Sequence, residues 1–330
     1  MGLVSKENRS PDAVPAAAGR DFPLRRLSFY AMAAQCEVQF TAPDGDTQAK
    51  SFEAAATGWV REFEEKYSRF KPQSIVSRIN DAAGVGWTAV DAETEGILSL
   101  CDTLHFMTRG LLDPTALPLI RLWNWRADPP AIPSQQEVVR ARGLVGWAKV
   151  RREPGRVMLP EKGMALDFGG FGKEYAVDIV SLLAKDLGID DSLVDFGHDL
   201  RASGAPPGLP AWRVGLENPA KPGSIWVSMG LTRKAMATSG DSLHCVNVGG
   251  RRYGHIIDTR TGWPVANGCT QATVIADTCL QAGMLSTAAF IAGPTEGLEL
   301  ISSCPGSEGT VLTERERAQT RGFINFVATQ

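Results

Sequence analysis

Trp59, Phe63 and Tyr67 recur at every fourth position of the segment 53–67, a spacing that puts all three on one face of a helix. The segment 91–109 repeats the signal, with apolar residues at 97, 98, 100, 101 and 104 and Gly110 following as a C-cap. A third helix opens after a glycine turn near 170. It carries Ala176, Val177, Val180, Ala184 and Leu187 on its inward face and ends at Gly188. Residues 126–143 are Pro-rich and then helical, and 278–292 predicts a further helix after the strand T-V-I-A-D. Between these stand segments of β character. The first is 27–40, closed by Pro43-Asp44-Gly45. V-G-W-A-K-V and R-V-M-L-P pair around Glu153-Pro154-Gly155. Later come L-V-D-F-G, W-R-V-G-L, I-W-V-S-M-G, A-M-A-T-S-G, C-V-N-V and G-H-I-I-D. The tail segments T-V-L-T-E and G-F-I-N-F-V predict two last strands. Strands and helices in this mixture predict an α+β fold, with mixed sheets packed against helices.

A chain of 330 residues can bury a large core, as one big domain or two intimate ones. Residues 1–22, rich in Ala, Pro and charge, read as a loose tail, which leaves 23–330 as the folded unit. The net charge of −3, with Lys and Arg scattered, carries no nucleic-acid footprint. The six cysteines form no C-x-x-C pair and no regular spacing, so neither a zinc ribbon nor a disulfide framework is indicated. The most apolar long segment, 272–293, contains Asp277 and Gln281 and reads as a strand plus a buried helix, not a membrane span. The N-terminus lacks the basic-then-apolar layout of a signal peptide, so the expected compartment is the cytoplasm, with the periplasm or export as the alternative.

The most informative stretch is 166–178, L-D-F-G-G-F-G-K-E-Y-A-V-D. A short apolar strand meets paired glycines, and a helix then opens on Lys173. Free N–H groups and a positive helix end make a seat for a phosphate-bearing ligand, a nucleotide or a dinucleotide such as FAD. The pattern is neither G-x-G-x-x-G nor a P-loop. The plainer reading is a tight turn whose glycines supply only unusual backbone angles.

Several stretches in order resemble the ApbE family of FAD:protein FMN transferases, from about Met32 to the C-terminus. Asp167 to Asp178 is similar to the family block D-L-G-G-I-A-K-G-Y-A-V-D. Ser68, Phe70, Ser74 and Asn80 match S-x-(Y/F)-x-x-x-S-x-(I/L)-x-x-(L/I)-N. Residues 110–115 resemble G-x-F-D-P-T, and 212–219 resemble W-x-V-G-I-x-x-P. A-T-S-G-D at 237–241, H-I-I-D-x-x-T-G at 255–262 and S-T-A at 286–288 complete the set. The resemblance implies a flavoprotein transferase. It cleaves FAD at the diphosphate, attaches FMN through a phosphoester to a Thr or Ser of an acceptor protein and releases AMP, with magnesium assisting.

It also implies roles for residues. His255 is the catalytic base that takes the hydroxyl proton. Ser239, Gly240 and Asp241 form a loop against the flavin or diphosphate, beside Ile256. Gly169, Gly170 and Lys173 meet phosphate, while Asp178 accepts from ribose hydroxyls or adenine. Phe70 stacks on a ring. Met32, Asp113 and Asp199 line the pocket, whereas Trp123, Trp125 and Trp212 read as core. The metal ligands are Thr287 and the carbonyl of Gly172.

The chain departs from the family at this metal site. Aligned on Thr287, Gly283 stands where the family has Asp, which removes the only carboxylate ligand. Asp277 lies on another helix face and is a poor substitute, and Asp241 is the better one. Gly283→Asp is expected to restore the site. Family G-G-D becomes Gly197-His198-Asp199, and K-G-Y becomes Lys173-Glu174-Tyr175, which adds negative charge near the phosphate seat. Two readings follow: a transferase with a weakened or rearranged magnesium site, or an FAD-binding relative without transfer (a carrier, a sensor or a slow FAD hydrolase).

Overall fold

The computed structural model of the chain describes residues 22–123, 132–221, 223–240 and 245–328. The expected tail 1–22 therefore lies, apart from Phe22, outside the described residues, as do Trp125 and Asp241.

An eight-stranded antiparallel sheet forms the frame, and its spatial order follows the chain: β1 (Leu24–Ala31), β2 (Ala34–Thr41), β3 (Ser192–Phe196), β4 (Asp199–Ser203), β5 (Ala235–Gly240), β6 (Cys269–Ala276), β7 (Glu308–Thr313) and β8 (Arg317–Gln319). Between β2 and β3 the described residues make six α-helices: α1 (Asp46–Tyr67), α2 (Ile75–Asp81), α3 (Ala92–Met107), α4 (Leu117–Leu122), α5 (Gln135–Gly143) and α6 (Gly172–Asp186). Between β6 and β7 they make α7 (Cys279–Ala292) and α8 (Pro294–Ser303).

Helix starts follow local capping chemistry. Asp91 accepts from the Thr94 N–H at the start of α3, Ser134 and Glu137 form a capping box on α5, and Thr278 accepts from the Gln281 N–H on α7. The stripe of α1 extends upstream of 53 through Ala49 and Phe52.

Alternation within the strands decides which layer each side chain joins. Val194 and Phe196 turn toward α1 and α6, where they meet Phe52, Val60, Val177 and Val180. Leu193, on the other face, joins Leu200, Met236 and Ile275 under the ribbon Trp212–Glu217 with Ile225–Leu231. The largest cluster lies between α7, α3 and α2, with the aromatic run Phe63, Tyr67, Phe168 and Phe171 through it.

Several local expectations change. The segment 27–40 is two strands, because Met32 and Ala33 both take left-handed backbone (φ 49 and 58) and turn the chain back. Residues 147–149 form a 3₁₀ turn, and the predicted pair reduces to Arg151–Glu153 with Arg156–Met158. The last segment is also 3₁₀, at Arg321–Phe326, where a three-residue repeat stacks Phe323 and Phe326 toward the ribbon. Leu187 is exposed, since α6 ends at Asp186. Trp123 and Trp212 are buried, and among the described residues no helix is long and apolar enough to cross a membrane.

Candidate functional site

The glycine turn is held from outside itself. Asn80 donates to the Leu166 carbonyl (3.0 Å) and accepts from the Leu166 N–H (2.6 Å), while the Asp167 N–H donates to the Pro114 carbonyl (2.8 Å). Within the turn the Gly169 N–H donates to Asp167 Oδ1 (3.1 Å), and the Phe171 and Gly172 N–H groups both donate to the Phe168 carbonyl. Most of the N–H groups expected to cradle a phosphate therefore have internal partners. What reaches outward is the start of α6, with Lys173 and Glu174.

This turn, the β3–β4 hairpin, the end of β5 and α7 enclose a cavity of about 840 Å³. Ten of the expected residues line it. Asp113, Gly169, Gly170 and Lys173 precede the β3–β4 hairpin in the chain. Asp199, Ser239, Gly240, His255, Ile256 and Thr287 come from β4 onward.

Four others do not line it. Phe70 is 77% exposed with the Arg69 guanidinium 4.3 Å from its ring centre, so no pocket wall faces it. Met32 sits at the β1–β2 turn, where its N–H donates to Glu64 and its side chain packs into the core. Gly172 is the first residue of α6, packed against Phe63. Asp178 is taken by the protein. Its Oδ1 accepts from the Cys279 N–H (2.9 Å) and from Arg201 (2.8 Å), and its Oδ2 accepts from the Leu280 N–H (3.0 Å). It clamps the start of α7 and does not face a ribose. Asp241 lies outside the described residues.

Charge inside the cavity is unevenly compensated. Lys173 contacts the Asp199 carboxylate and donates to the Gly197 carbonyl (3.4 Å). Burial pulls the Lys173 ammonium down, yet the charges of Asp199 and Glu174 outweigh it and leave the group above its usual range. Glu174 is buried, its Oε2 has no hydrogen-bond partner, and burial followed by the nearby Asp199 charge pushes its carboxyl well above the carboxylate range. Across the cavity a hydroxyl cluster joins β5 to α7, with Ser239 Oγ 2.9 Å from both Ser286 Oγ and Thr287 Oγ1.

His255 is exposed on the wall, in the break between Arg251–Gly254 and Ile257–Asp258, where a single strand over G-H-I-I-D was expected. The following turn is built as expected. The Thr261 and Gly262 N–H groups donate to the Asp258 carbonyl, and the Asp258 carboxylate accepts from Arg260. Asp113 lines the cavity while its carboxylate accepts from the Thr115 N–H (2.8 Å) and the Trp147 N–H (2.9 Å). Asp277 pairs with Lys234 (2.6 Å), away from the cavity lining.

Sequence reading missed three features here: the Arg69–Asp167 pair (3.3 Å) on the wall, Gln271, whose buried Oε1 has no partner, and the position of Glu174. A Cβ on Gly283 would stand 2.6 Å from Glu174 Cγ and 2.8 Å from Oε1. Gly283→Asp alone would therefore collide with Glu174, which overturns the expectation of simple restoration. The signal was present as two departures of opposite sense, a carboxylate lost at 283 and one gained at 174.

The comparisons agree on one family. The ApbE family model matches residues 32–310. The chain is 26% identical over 286 residues to the FAD:protein FMN transferase of Vibrio cholerae, covering 85% of this chain and 86% of that one. It is 28% identical over 244 residues to the FAD:protein FMN transferase of Escherichia coli, covering 71% and 69%. The solved structure of an ApbE protein from Thermotoga maritima superposes with a TM-score of 0.85 at 26% identity, over 93% of this chain and all of that one.

Proposed function

The chain belongs to the ApbE family, and from that premise we propose that it moves the FMN half of FAD onto a Thr or Ser hydroxyl of an acceptor protein, releasing AMP. One observation carries this reading. The glycine turn, Ser239-Gly240, His255-Ile256 and Thr287 come from four places in the chain and line one cavity. Its volume of about 840 Å³ is in the range of sites that enclose a large cofactor. The similar proteins are themselves FAD:protein FMN transferases, which favours transfer over flavin binding without turnover.

Arg69 and Lys173 bring positive charge to the wall, where the FAD diphosphate is anionic. His255 takes the proton of the incoming hydroxyl. The hydroxyl oxygen attacks the phosphorus on the FMN side, the bridging P–O bond breaks, and its electron pair leaves with AMP. Magnesium would be held from the α7 side, where the Thr287 and Ser239 hydroxyls are the hard oxygen donors it prefers. When bound, it supplies charge neutralisation on the bridging and leaving oxygens.

The test is mass spectrometry of a Thr-containing acceptor domain incubated with the protein, FAD and magnesium, beside His255→Ala. An FMN-sized mass gain that disappears in the variant supports the reading. Tight FAD binding with no gain on any flavinylatable acceptor points to a flavin-binding relative.

A further inference from the structure

We propose that Glu174, reaching from α6 into the space that Gly283 leaves open, supplies the carboxylate of a divalent-cation site against Thr287. The inference rests on the transferase reading and adds a ligand to it.

Four observations converge. Glu174 lines the cavity and is 8% exposed, so its carboxyl has little access to water. One of its oxygens, Oε2, is buried with no protein partner, a costly arrangement for a carboxylate unless something else binds there. Its Oε1 lies 2.8 Å from where a Cβ on Gly283 would stand, so the carboxylate fills the volume of a side chain at 283. Gly283 and Thr287 are four residues apart on α7, hence on the same face, and Thr287 also lines the cavity.

The cations nearby have other partners: Lys173 contacts Asp199, and Arg201 pairs with Asp178. The remaining described carboxylates of the region are engaged too. Asp178 clamps α7 and Asp277 pairs with Lys234. A carboxylate and a hydroxyl beside a diphosphate are a donor set for a hard, oxygen-seeking ion of the magnesium type. Among the described residues no group of three or more His, Cys, Asp or Glu is arranged to hold a metal, so substrate phosphates would complete the shell. Gly283 is then the complement of Glu174, since an aspartate there would meet Glu174 within van der Waals distance.

The experiment is calorimetric titration of magnesium into the full-length protein with FAD bound, with manganese EPR as a second readout. Four proteins are compared: wild type, Glu174→Gln, Gly283→Asp and the exchange Glu174→Gly with Gly283→Asp. Expected is a loss of affinity of at least ~10-fold in Glu174→Gln, the scale for disturbing a metal's protein surroundings. Affinity should also fall in Gly283→Asp and return toward wild type in the exchange. Wild-type affinity in Glu174→Gln, with FAD still bound, would overturn the assignment. If Glu174→Gln does not fold, recovery of metal binding in the exchange supports the assignment and its absence overturns it. Flavin transfer to the acceptor domain is measured on the wild type separately. Transfer with unchanged metal binding in Glu174→Gln defeats this inference alone, whereas FAD binding without transfer defeats the function it rests on.

Discussion

Asp178 and Glu174 stand one turn apart on α6, both buried and both at the junction with α7, yet they are treated in opposite ways. Asp178 has every oxygen engaged, by two N–H groups at the start of α7 and by Arg201. Glu174 has an oxygen with no partner and faces the cavity. The same charge on the same helix therefore does two jobs. Where partners are supplied, it joins two helices. Where they are withheld, ionisation of the carboxyl is penalised by burial, and its natural compensation is a ligand.

The strongest way to break that comparison is to truncate Asp178. Asp178→Ala leaves two helix N–H groups and the Arg201 guanidinium without their acceptor, and should lower stability by roughly 3 kcal/mol in urea unfolding. An unchanged midpoint would show that the clamp is ornamental.

Glu174 should respond with the opposite sign. In metal-free protein, Glu174→Gln removes a buried carboxyl whose ionisation is penalised and leaves Lys173 with Asp199. The expected gain is about 1 kcal/mol, read as a higher Tm. A loss of stability would mean that Glu174 also serves as a structural acceptor.

His198 sharpens the contrast from the rim of the cavity. It sits at φ 74 in the β3–β4 turn, next to Gly197 at φ 60. Left-handed backbone is costly for a residue with a Cβ, so His198→Gly should stabilise by about 1 kcal/mol or somewhat less, because glycine also frees the unfolded chain. No gain in chemical denaturation would place the imidazole in a favourable contact that offsets the strain.

The smallest effect belongs to an exposed carboxylate far from the site. Asp91 caps α3, and hydrogen bonds from Lys66 and then Thr94 hold its carboxyl well below the usual range. Because its folded value is depressed, its contribution is present above the unfolded value of about 4 and is lost as pH falls through the folded one. Asp91→Asn should flatten the acid side of the stability–pH curve slightly, and no change there would show that solvent screening cancels the pair.

Much of this was legible in the chain. Helices with strong periodicity fell close to their predicted spans, because stripes are local properties, although α3 ends at Met107 with Thr108, and not the expected Gly110, as its C-cap. Ten of the candidate site residues do line one cavity. Phe70, Met32 and Asp178 do not, because a motif position fixes where a residue sits along the chain and not which side of the wall it faces. The 3₁₀ segment Arg321–Phe326 was unreadable for a related reason. Its apolar run suits either conformation, and the ribbon above Phe323 selected one.

The sequence by itself determined the α+β class, the glycine turn before α6, the ordered set of family blocks and the mismatch at 283. Only the tertiary structure decided that the carboxylate missing from α7 is matched by one on α6. Glu174 and Gly283 are far apart in the chain, and the packing of two helices brings a side chain of one into the space left by the other.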